Sequence, residues 1–117
     1  MTRWIVILGF AAGTAAAGCG SSGESCGVTA PASCPTTPPS YKTDVAPILE
    51  TYCTKCHQPG GQESMKPLDT YQGISALSAD VNNEISGCDM PPADQTQPTA
   101  AEREKVLAWI LCGAQDN

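Results

Sequence analysis

Residues 41–117 hold twelve Ile, Leu and Val in 77 positions, and their only aromatics are Tyr41, Tyr52, Tyr71 and Trp109. A low share of large apolar residues, combined with a formal net charge of −6, ordinarily marks a chain that cannot bury enough surface to fold. The 117 residues suffice for one small domain and whatever precedes it. Something besides side chains must therefore hold that domain together. With 12 acidic and 6 basic residues, the chain also lacks the clustered basic face that a nucleic-acid binder uses.

The N-terminus supplies a compartment. Met1, Thr2 and Arg3 form a short positive region, followed by the apolar run WIVILGFAAGTAAA over 4–17. That run is too short to span a hydrocarbon core of about 30 Å, so residues 1–18 are expected to be an export signal. Two cleavage modes compete. Ala15, Ala16 and Ala17 suit an ordinary signal peptidase, whereas Ala16-Ala17-Gly18-Cys19 resembles a bacterial lipobox, with Ala16 standing where Leu is usual. Cysteine parity favours the second mode. Lipidation of Cys19 reduces seven cysteines to six, an even set for an oxidising, exported location. The protein is then expected to be periplasmic or at the cell surface, anchored to a bacterial membrane by lipid.

Residues 19–40 are expected to be a tether. Gly, Ser, Thr and Pro fill 15 of the 21 positions from 20 to 40, a composition that cannot offset its own chain entropy by burial. Cys26 and Cys34 can close a small disulfide loop inside it.

The strongest chemical signal is Cys53-Thr54-Lys55-Cys56-His57, the C-x-x-C-H pattern of covalent haem attachment. On a helical turn, positions i, i+3 and i+4 share one face. Cys53 and Cys56 can then form thioethers to the two vinyl groups of one porphyrin while His57 faces the iron. Other readings are weaker. A zinc site needs about four ligands, commonly two C-x-x-C pairs, and no second pair exists here. A thioredoxin-like motif wants a βαβ context, and no strand-rich pattern surrounds this one. A surface disulfide followed by a chance His is the remaining option, although His57 is the chain's only histidine.

A second axial ligand is sought among the methionines. Met1 lies in the signal, and Met65 follows His57 too closely to reach the opposite face of a haem without a very tight loop. Met90, inside Gly87-Cys88-Asp89-Met90-Pro91-Pro92, precedes two prolines that stiffen the backbone. It is the expected partner in a His/Met pair, against the plainer reading of a flexible core filler.

With C-x-x-C-H early, M-P-P late and a terminal amphipathic helix, residues 41–117 resemble a small class I c-type cytochrome domain. The resemblance implies an all-α bundle of three to four short helices around one covalent haem c, with long loops. It implies that Cys53 and Cys56 bind the haem, with His57 as proximal and Met90 as distal iron ligand. It further implies that His57 donates its other ring N–H to a backbone carbonyl, with Pro59 or Pro67 as the source. Cys88 and Cys112 depart from the commonest members and are expected to pair, tying the methionine loop to the last helix.

Helical periodicity supports this outline. Val45, Ile48, Leu49 and Tyr52 predict a first helix capped by Thr43 or Asp44, with Pro47 in its first turn. A second helix is expected from about Asp69 to Leu77, and a third turn around Val81 and Ile85. Thr99 and Glu102 form a capping box for the last helix, with Val106, Leu107, Ile110 and Leu111 as its apolar stripe and Gly113 as its stop. Trp109 is expected both in the core and against the cofactor.

The expected function is electron transfer, with redox proteins as partners and no substrate bond made or broken. Acidic residues dominate 68–98 while Lys42, Lys55 and Lys66 flank the proximal half, an asymmetry able to steer docking or simply to solvate a face. A catalytic haem protein with an open iron site, and a haem-free disulfide-stapled surface lipoprotein, are the alternatives.

Overall fold

The computed structural model describes residues 26–117; the expected signal over 1–18 and acylation site at Cys19 lie outside them. Among the described residues the chain is helical without a strand, in keeping with an all-α fold. No helix there is long and apolar enough to cross a membrane.

The first helical stretch begins earlier than its apolar period suggests. A π-helical turn over Tyr41–Val45 is capped by Ser40, whose side chain accepts from the Thr43 N–H. In return Asp44 Oδ2 accepts from the Ser40 N–H at 2.9 Å. Thr43 and Asp44, expected as caps, are thus inside the turn. The wider turn runs into α1, Ala46–Tyr52, where Pro47 lacks the N–H that a continuous α-helix would give to the carbonyl four residues back. Short helices α2, Tyr71–Ala76, and α3, Ser78–Ser86, follow, α2 being capped by Thr70. The last, α4, spans Ala100–Leu111 and carries the full Thr99/Glu102 capping box.

The core is small, as the sequence demands. Val45, Ile48, Leu49, Leu68, Ile74, Val81 and Ile85 meet Val106, Leu107 and Trp109 of α4. The stripe of α4 is rotated from the expected one: Leu111 is 48% exposed, while Ala108 and Trp109 are buried. Trp109 packs on Tyr41 and Tyr71 with ring centroids 5.6 and 6.4 Å apart. Its indole N–H donates to the Gln115 carbonyl at 2.9 Å. That aromatic cluster takes the tryptophan into the core and leaves it out of the cavity wall described below, contrary to the double role expected of it.

Two disulfides join the N-terminal segment to the helical domain, Cys26–Cys88 and Cys34–Cys112. All four cysteines are oxidised as expected, but their pairing is not Cys26–Cys34 and Cys88–Cys112. The reason lies in the path of residues 26–40, which run along α4 instead of away from it. The Thr29 N–H donates to Glu104 Oε1 at 3.0 Å, Val28 packs against the core, and the Tyr41 N–H donates to Asn117 Oδ1 at 2.8 Å. This path brings Cys34 to the end of α4 and Cys26 to the loop after α3. Two bridges fit an oxidising, exported location.

Candidate cofactor site

Beyond α1 the chain continues through one tight turn. The Cys56 N–H and His57 N–H donate to the Cys53 carbonyl at 3.2 and 3.0 Å. The second bond has helical spacing, so Cys53 and His57 lie one above the other on a single face. Cys53 and Cys56 are free thiols. Burial pushes the Cys53 thiol up to about 11, against the opposing pull of the Arg103 guanidinium.

The loop after the motif folds back to orient the histidine. His57 Nδ1 lies 2.9 Å from the Lys66 carbonyl, and the Leu68 N–H donates to the His57 carbonyl at 2.8 Å. A carbonyl only accepts, so Nδ1 carries the proton and the lone pair of Nε2 is left for a ligand. The orienting carbonyl belongs to neither expected proline: it is that of Lys66, which Pro67 keeps out of the helical region. Gly61 permits the return. A Cβ there would stand 2.2 Å from the Cys56 carbonyl oxygen.

A cavity of about 280 Å³ opens beside this turn. Cys53, Cys56, His57 and Met90 all line it. Its apolar wall is made of Ile48, Leu49, Leu68, Val81, Ile85 and Val106, all members of the buried core. Half of the buried apolar residues therefore line the cavity as well as packing against one another. Met65, set aside on spacing grounds, is 91% exposed and takes no part in the wall.

Met90 sits in a loop fastened at several points. The Asp89 N–H donates to the Glu84 carbonyl at 3.0 Å, and the Met90–Pro91 peptide is cis. Arg103 Nη1 donates to the Met90 carbonyl at 2.7 Å, and Nη2 to Gln97 Oε1 at 2.6 Å. Gln97 Nε2 in turn lies 2.8 Å from the Pro92 carbonyl and 3.1 Å from that of Pro91. Neither Arg103 nor Gln97 was foreseen from the sequence. Arg103 had a signal, since it stands three and four residues before Val106 and Leu107 and so on the buried face of α4; Gln97 had none.

The charges are less segregated than the sequence suggests, for Lys66 Nζ pairs with Asp80 at 3.8 Å. Both groups are more than half exposed, so the pair adds little stability. Among the described residues no three His, Cys, Asp or Glu side chains are gathered as a metal-ion cluster. No protein-family model, curated protein or solved structure matches the chain.

Proposed function

We propose that the protein is a mono-haem electron carrier, exported and held at a bacterial membrane by lipid on Cys19. The observation that carries this reading is the sharing of one apolar cavity by Cys53, Cys56, His57 and Met90. The donor set and its surroundings fit a covalently held porphyrin. Two protonatable thiols on one turn suit thioether bonds, and a histidine with Nδ1 already committed presents Nε2 to iron. A thioether from a stiff loop completes a His/Met pair. Arg103 Nε is buried without a hydrogen-bond partner, and a group bearing carboxylates offers the acceptor that this nitrogen lacks.

When bound, the haem iron supplies one-electron chemistry between its ferric and ferrous states. The protein's own residues keep that chemistry simple. Cys53 and Cys56 hold the group in place, and the Lys66 carbonyl fixes the histidine ring. The wall from Ile48 to Val106 excludes water, and the fastened Met90 loop limits rearrangement between oxidation states. Low dielectric around the site favours the less charged form.

Maturation of the full chain in a host able to attach c-type haem tests the reading. The expected product retains haem on a denaturing gel, gains the mass of one haem, and gives a low-spin, six-coordinate spectrum. A protein that emerges with Cys53 and Cys56 as free thiols and no added mass refutes it. A high-spin spectrum that Met90→Ala leaves unchanged would instead indicate an open iron site and catalysis.

A further inference from the structure

Arg103 is the one buried charged residue among the described residues, with 1% of its surface exposed. Burying a guanidinium is costly unless its donors are met, and no carboxylate among the described residues pairs with it. Its two terminal nitrogens go instead to neutral acceptors on one loop, the Met90 carbonyl and Gln97 Oε1. Gln97 then uses its amide hydrogens on the carbonyls of the two residues after Met90. The side chain therefore spans from the rigid α4 to both ends of the 90–97 loop, against the same cavity that Met90 lines.

We propose that Arg103, acting with Gln97, is the positioning residue that holds Met90 as an iron ligand. The inference rests on the haem reading above. Toward Met90, Arg103 acts through the backbone carbonyl and through Gln97, while its Nε is left for the cofactor. Lysine cannot replace it, because an ammonium lacks the planar fork that reaches two separate acceptors at fixed angles. The loop has a single apolar anchor, Pro91; the other residues of 89–97 are half-buried or exposed. Loss of a charge-assisted bond should thus free the sulfur without unfolding the domain.

The test uses haem-loaded full-length protein carrying Arg103→Lys, Arg103→Met or Gln97→Ala. Two quantities are read: the long-wavelength absorption of a ferric iron–thioether bond as pH is raised, and the dissociation constant of added imidazole. One lost charge-assisted hydrogen bond corresponds to roughly ten- to a hundredfold tighter imidazole binding. The iron–thioether absorption should disappear at least one pH unit lower in Arg103→Lys and Arg103→Met. Gln97→Ala, which keeps the buried charge, should move both quantities in the same direction and covers the case in which Arg103→Met does not fold. Variants that melt earlier yet keep wild-type imidazole affinity and pH profile overturn the proposal, since a merely structural arginine would behave so. Wild-type protein with bound haem but no iron–thioether absorption overturns the Met90 reading, and this inference with it.

Discussion

Replacing Cys26 and Cys88 by serine removes the bridge that joins the N-terminal segment to the Met90 loop. Along the chain the two positions are 62 residues apart. With Cys34–Cys112 intact, the shorter covalent path runs from 26 to 34, across that bridge, and back from 112 to 88, about 32 residues in all. The remaining bridge has therefore already reduced the freedom that the lost one would restrict. Closing loops of this size withdraws denatured-state entropy worth roughly 3–4 kcal/mol. In a domain of this length the melting temperature should fall on the order of 15–25 °C. Thermal and denaturant unfolding of the double variant measure the loss, and thiol titration under denaturing conditions checks the pairing. The variant should show no free thiols beyond those of the wild type. Two new thiols would mean that Cys34 and Cys112 are not partners, and a loss below about 1 kcal/mol would refute the cross-link argument.

Two further outcomes are expected. Gly61→Ala places a methyl group against the Cys56 carbonyl and should destabilise the return loop by roughly 1–3 kcal/mol, lowering the yield of haem attachment compared with the wild type; an unchanged yield would refute the close approach. Hydrogen bonds from Thr99 hold the Glu102 carboxyl below its ordinary value of 4.5, and the Ser40 N–H holds Asp44 below 3.8. A depressed carboxylate contributes stability above its unfolded value and loses it as pH falls through its folded value. Denaturant unfolding should therefore show falling stability below about pH 4.5, with a smaller fall in Glu102→Gln and Asp44→Asn; an unchanged pH profile in both variants would contradict the assignment.

What the sequence made legible was local. The Thr99/Glu102 box and the turn over Cys53 and His57 need only residues three or four apart, and both form where their spacing indicated. Met90 lines the cavity in a loop held by Arg103, thirteen residues further on, a contact that the neighbouring prolines do not announce. Pairing of the cysteines was not legible, since four of them allow three connectivities and the choice depends on where residues 26–40 run. The same is true of Lys66: any carbonyl in the loop could face His57 until Gly61 and Pro67 set its course. Leu111 and Trp109 show the limit of a helical stripe. A stripe marks which face is apolar, but the aromatic partners Tyr41 and Tyr71, far away in sequence, decide how the helix is rotated. A chain with so few apolar residues gives its long-range contacts weak patterns to be read from.

On the proposed anchoring at Cys19, the stapling of residues 26–40 also sets how far the domain can stand from a membrane. A spacer free from Cys19 to the first helical turn would reach roughly 70 Å when extended. With Cys26 bonded to Cys88, only about seven residue steps separate a lipid on Cys19 from the domain, a leash of roughly 25 Å. Lipid on Cys19 would then hold Cys26 and Cys88 within about 25 Å of the bilayer, so the proposed anchoring and the Cys26–Cys88 bridge together fix which end of the domain lies nearest the membrane.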